Sequence, residues 1–159
     1  MTSEKGRPGE SMRNTLKGLI SPHDTYGSLR RMADRLDVRV RSENIPGDDL
    51  CGYFEAWNNA IVIDRSMTYR KKRCTLVHEL VHWSYGDFFH WPVIDSRLEN
   101  RARRETAELL VDPREYEQAE SMYEGESKAI AIELDVTLQI IEDYRDMVLA
   151  PLRDQCVAL

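Results

Sequence analysis

Residues 78–82 read His78-Glu79-Leu80-Val81-His82, inside an apolar, helix-favouring stretch. On a helix, positions four apart lie on one face, so both imidazoles can reach a single point. Two imidazoles aimed at one point are ligands for a divalent cation. Glu79, beside the first of them, can hold a water on that cation and take its proton. The chemistry that this spacing supports is metal-assisted hydrolysis. A catalytic zinc usually takes three protein ligands and keeps a fourth position open. The third ligand is expected from a later helix packed across the first. Glu99 is 17 residues beyond His82 and near the start of the next helix. Glu105 and Glu108 are rivals for the role. Glu99 opens the run Glu99-Asn100-Arg101-Ala102, where the small Ala102 would let two helices approach closely. Zn2+ suits two imidazoles and a carboxylate, ahead of Mn2+ or Fe2+, which bind similar ligands.

Other residues nearby carry a functional and a plain reading. His90 could donate to a transition state or be a fourth ligand, against an ordinary loop histidine. Tyr53 and Tyr85 could donate to an oxyanion, against simple packing. Trp83, Phe88, Phe89 and Trp91 could line a substrate cleft, against core packing. Cys74, one turn before His78, reads as buried filler rather than a ligand.

The elements that must position these groups follow from pattern. Residues Met1 to Ser11 are rich in Gly, Pro, Ser and charge and read as a disordered tail. Residues Met12 to Ile20 fit a loose helix or an arm. Leu29, Met32, Ala33 and Leu36 recur at helical spacing within Thr25 to Leu36. Val38 to Val40 reads as a short strand. After a turn at Pro46-Gly47-Asp48-Asp49, strands Cys51 to Glu55 and Ala60 to Ile63 flank Asn58-Asn59, which tolerates positive φ. Thr68 can cap a helix from Tyr69 to Tyr85, with Gly86 as its stop. Leu76, Val77, Leu80, Val81 and Trp83 make that helix apolar on several sides, as a buried central helix requires. Further helices are expected over Arg97 to Val111, Arg114 to Tyr123, Ser127 to Leu134 and Thr137 to Met147.

Composition bounds the rest. The chain has 159 residues, 42% apolar and 31% charged, enough for one soluble domain with a real core. A net charge of −6 disfavours a broad nucleic-acid surface. No apolar run reaches the length of a membrane span, and the N-terminal residues lack a signal-peptide core. Three scattered cysteines with no C-x-x-C pair suggest neither a thiolate site nor a disulfide framework. A reducing, cytoplasmic setting is expected.

The run Arg73-Cys74-Thr75-Leu76-Val77-His78-Glu79-Leu80-Val81-His82, then Glu99-x-x-Ala102 and Thr106-Ala107-Glu108-Leu109-Leu110, resembles the ImmA/IrrE family of bacterial and phage metallo-endopeptidases. The preceding segment, Gly52-Tyr53 through Ile61-Val62-Ile63-Asp64-Arg65, resembles the one before the metal helix in that family. The resemblance runs from about Leu29 to Asp112. It implies that His78, His82 and Glu99 are metal ligands and that Glu79 is the general base. It implies a cytoplasmic endopeptidase that cuts helix-turn-helix transcriptional repressors and so switches phage or mobile-element genes. One departure stands out. Family members often carry Asn or Asp after the Ala, where this chain has Arg103, which has no acceptor to orient a ligand. Asp87, Asp95 or Glu105 could supply that support, or metal affinity is reduced.

The expected fold is α+β: a small zincin-like metallopeptidase domain in which a short mixed or antiparallel sheet packs on the H-E-x-x-H helix, followed by several helices. The expected organisation is an N-terminal tail over 1–20, a metallopeptidase core over 21–113 and a helical extension over 114–159. Residues 129–141 have the look of a helix-turn-helix, but the acidic second helix opposes docking on DNA phosphates. The Arg70-Lys71-Lys72-Arg73 cluster reads as a solvated first turn. A second reading is a non-proteolytic regulatory module, with a structural metal site, that binds a repressor or DNA without cutting.

Overall fold

A computed structural model describes residues 16–47, 49–87 and 95–157. It is an α+β fold with a three-stranded mixed sheet and a set of helices. The expected tail over Met1 to Ser11 lies outside the described residues, as do Phe88, Phe89, His90 and Trp91. Residues 16–19 form one helical turn whose Leu16 packs into the core together with Ile20.

Helix α1 (Tyr26–Arg35) starts on Thr25, whose hydroxyl accepts from the Ser28 amide, and buries Tyr26, Leu29, Met32 and Ala33. Strand β1 (Arg39–Glu43) follows after Asp37, which adopts a left-handed φ of 60°. Strands β2 (Gly52–Glu55) and β3 (Ala60–Asp64) are joined by a 3₁₀ turn over Ala56–Asn58, and Asn59 closes it at φ 46°. The sheet order is β1-β3-β2. Strand β3 runs parallel to β1, with Arg39 opposite Ala60, and antiparallel to β2, with Gly52 opposite Ile63. All five β3 residues are buried, as a central strand covered on both faces must be.

Helix α2 (Tyr69–Tyr85) crosses the sheet, packing on β2, β3 and α1. Its Leu76, Val77, Leu80 and Val81 are fully buried. A Cβ at Gly52 would sit 2.9 Å from both Thr75 Cγ2 and the Val62 carbonyl oxygen, so a glycine lets β2 approach α2 this closely. Helix α3 (Ser96–Leu110) packs across α2, with Ala102 fully buried. Helix α4 (Pro113–Met122) begins on the Asp112 cap with Pro at its first position, as helix starts favour. Helices α5 (Ser127–Glu133) and α6 (Leu138–Asp143) meet at a turn in which Asp135 takes a φ of 51°.

The last helix does not stop near Met147. It passes through a π-helical stretch, Tyr144–Leu149, into α7 (Ala150–Val157). Pro151 explains the wide turn. Proline has no N–H to donate and its ring crowds the preceding turn, and a π-helical stretch just before it relaxes both demands. Among the described residues, no helix is long and apolar enough to cross a membrane.

The basic cluster at the start of α2 is not simply solvated. Arg73 is buried at 4% exposure. Its Nε donates to the Asp24 carbonyl at 2.6 Å and its Nη1 to the Asp135 carbonyl at 2.7 Å, while Nη2 donates to the Pro22 carbonyl. Arg70 pairs with Asp135 at 2.9 Å. These contacts account for two of the four cations.

Candidate metal centre

The spacing of His78 and His82 does what helix geometry requires of it. Their rings lie on one face of α2, with Nε2 to Nε2 at 3.1 Å. Glu99, in the first turn of α3, reaches the same point. One of its carboxylate oxygens is 3.3 Å from His78 Nε2 and the other is 3.3 Å from His82 Nε2. These three residues form a cluster of metal-ligating groups among the described residues.

The distances can be weighed against coordination chemistry. A tetrahedral cation with ligands at about 2.0–2.1 Å separates them by about 3.3–3.4 Å. The two ring nitrogens are 3.1 Å apart, close to one such edge, and Glu99 sets one carboxylate oxygen 3.3 Å from each ring. Taken as one atom per residue, the donors lie within 4.8 Å of one another, close enough to converge on a small divalent ion. The composition of this donor set, two imidazoles and one carboxylate, fits zinc chemistry as well.

The ring of His82 is held from behind. Its Nδ1 lies 3.0 Å from Asp87 Oδ2, and both side chains are nearly inaccessible, at 3% and 7% exposure. A proton held on Nδ1 by Asp87 is the tautomer that would free the Nε2 lone pair for a cation. Helix α2 itself delivers Asp87. Gly86 turns left-handed at φ 68°, its N–H bonds the Trp83 carbonyl, and the Asp87 N–H bonds back to the His82 carbonyl at 3.0 Å. This pairing is the Schellman closure of a helix. It folds the residue after the glycine onto the last turn, where His82 is.

Asp87 is gripped in turn by α3. Arg101 Nη2 lies 2.7 and 2.6 Å from its two carboxylate oxygens. The guanidinium sits 3.6 Å from the centre of the Tyr85 ring, and the Tyr85 hydroxyl donates to Glu105.

Electrostatics follow the packing. Hydrogen bonds from His78 and then His82 hold the Glu99 carboxyl far below the usual carboxylate range, outweighing its partial burial. Burial pulls the His82 ring down, but its bonds to Glu99 and Asp87 outweigh that and raise it overall. Burial pushes the Glu79 carboxyl up, offset in part by the charges of His78 and His82. A carboxyl raised in this way is a better proton acceptor near neutral pH.

The other sequence candidates fall elsewhere. Glu105 accepts from Tyr85, and Glu108 lies 4.0 Å from Lys17, so neither has the ring contacts that Glu99 makes. Asp95 caps α3 by accepting from the Arg97 amide. Trp83 is 6% exposed, with its indole donating to Asn59 Oδ1 at 3.1 Å, which is core packing. Tyr85 is occupied with Arg101 and Glu105. Tyr53 is half-buried on β2. Cys74 is buried, and burial raises its thiol. His90 and the other loop aromatics lie outside the described residues. Arg103 pairs with the buried Asp143, at 3.1 Å from Nε and 2.5 Å from Nη2. Arg101 is the site residue that sequence reasoning missed. Its spacing of two from Glu99 carries no signal, because its partner is set by how α3 crosses α2.

A cleft of about 520 Å³ opens at the other end of α2, lined in part by Asp24, Tyr26, Tyr69, Arg73 and Asp135. None of its lining residues belongs to the histidine–glutamate cluster.

No family model matches the sequence. No curated protein matches it either. Among solved structures, a Mycobacterium tuberculosis transcriptional regulator is similar, with a TM-score of 0.62 at 10% identity. The match covers 85% of this chain and 46% of that one, so this chain spans a little under half of its length. At that identity the likeness concerns the fold alone.

Proposed function

We propose that this protein is a zinc-dependent endopeptidase with a zincin-like core, of the kind the ImmA/IrrE resemblance implies. The observation that carries this reading is the convergence of His78, His82 and Glu99, whose donor atoms lie within 4.8 Å of one another, with the buried Glu79 next to His78 in the chain. His78, His82 and Glu99 would hold the cation. When bound, the cation supplies a Lewis acid that polarises a peptide carbonyl and acidifies water. Glu79 takes the proton of the attacking water and returns it to the leaving amine. Burial suits Glu79 to both duties, since it narrows the gap between its own acidity and that of its partners. By the same resemblance, the substrate is a helix-turn-helix repressor and the setting is the cytoplasm.

A second reading is favoured by one observation: the solved chain of similar fold is described as a transcriptional regulator. On that reading the cluster holds a structural metal, and the module binds a repressor or DNA without cutting. One experiment separates the two. The purified chain is loaded with zinc, its metal content is measured, and it is incubated with helix-turn-helix repressors from its own genome. Fragments seen by mass spectrometry, and lost on chelation, are the expected result. A stable complex without fragments favours the second reading. A chain that retains no stoichiometric metal after dialysis overturns both.

A further inference from the structure

We infer that Asp87 is a positioning residue for His82 and that Arg101 is the residue that sets Asp87. This deepens the metal reading above and rests on it. Three observations converge. Asp87 Oδ2 is 3.0 Å from His82 Nδ1 in a nearly inaccessible environment, so the ring's rotation and tautomer are both determined by that contact. The Schellman closure at Gly86 leaves Asp87 little freedom, because its backbone N–H is already spent on the His82 carbonyl. Arg101 then fixes the carboxylate through both oxygens, at 2.7 and 2.6 Å.

The arrangement also solves a registration problem. The two histidines come from α2 and the third ligand from α3, so the site exists only at one crossing of the two helices. Arg101 is two residues from Glu99 on α3 and bonds a residue folded onto the end of α2. Its stacking on Tyr85, the last residue of α2, adds a second tie at the same place. Arg103, which lacks an acceptor, is turned to Asp143 instead. The acceptor that orients a ligand is therefore supplied from the end of the histidine helix itself.

The test compares metal affinity in the full chain and in Asp87→Ala, Asp87→Asn, Arg101→Met and Arg101→Lys, by competition with a chromophoric chelator. Cobalt(II) absorption reports the coordination geometry, and circular dichroism reports the fold. Loss of the outer acceptor is expected to weaken binding about 10- to 100-fold in Asp87→Ala. Asp87→Asn keeps an oxygen that accepts from Nδ1 and is expected to lose less. Arg101→Met should weaken binding, and Arg101→Lys should restore part of the loss. The cobalt bands should shift in Asp87→Ala. Long-range ¹H–¹⁵N NMR of the zinc form should show His82 protonated at Nδ1 in the parent chain. If the parent binds metal while Asp87→Ala, or Asp87→Asn and Arg101→Met should Asp87→Ala fail to fold, bind as tightly with unchanged cobalt bands, this inference is overturned and the metal reading stands. If the parent binds no metal, both fall.

Discussion

Glu79 separates binding from chemistry at a single position. It is buried at 8% exposure, and burial disfavours its charged form. Replacing it with Gln keeps the shape and removes the charge, so the three ligands and the fold should be retained. Turnover should fall about 10²- to 10⁴-fold, the usual share of a positioned base. The check is zinc content and melting temperature alongside peptide cleavage. Undiminished cleavage in Glu79→Gln would exclude the proposed mechanism. The three residues 78, 79 and 82 were legible in the sequence because helix geometry alone places them. Glu99 was legible only as one acid among several on the next helix. Asp87 was one of three possible supports, and its selection needed the left-handed Gly86 to be seen folding it back. Arg101 was not legible, since no local rule connects it to Asp87.

Elements were most readable where a side chain makes a local bond. Thr25, Thr68, Asp95 and Asp112 each accept from an amide in the first turn of the helix they begin. Strands β2 and β3 were placed by the turn residues around them, but the parallel pairing of β1 with β3 depends on contacts far apart in sequence. The join between β3 and α2 holds a further local device. Asp64 accepts from the Ser66 amide and hydroxyl, each at 3.0 Å, as the chain leaves the sheet for the metal helix. The Ser66 amide, more than any other group, holds the Asp64 carboxyl below its ordinary value of 3.8. Because the folded value is the lower one, this stabilisation is present above the ordinary value and is lost as pH falls through the folded one. Asp64→Asn should therefore melt below the parent at pH 7, and the gap should close as pH drops below about 4. Thermal melts from pH 7 to pH 3 measure this, and a gap independent of pH would contradict it.

At the scale of the molecule, distant segments are tied to the two site helices by guanidinium groups. Arg73 joins residues 22–24 and the turn at 135 to α2, through donors that a count of basic residues cannot assign. Arg103 joins α3 to α6, and Gln139 adds a donor to the same Asp143 at 2.9 Å. Asp143 is only 3% exposed, so removing its cation leaves a buried charge with one neutral donor. Arg103→Met should cost about 3 kcal/mol, read from urea denaturation. Pairing it with Asp143→Val should recover most of that loss, because the penalty comes from the stranded charge rather than from a lost attraction. Since α3 carries Glu99, Arg103→Met should also weaken metal binding, and the paired variant should restore it. A single variant within about 0.5 kcal/mol of the parent would show that α6 does not support the site helix through this contact.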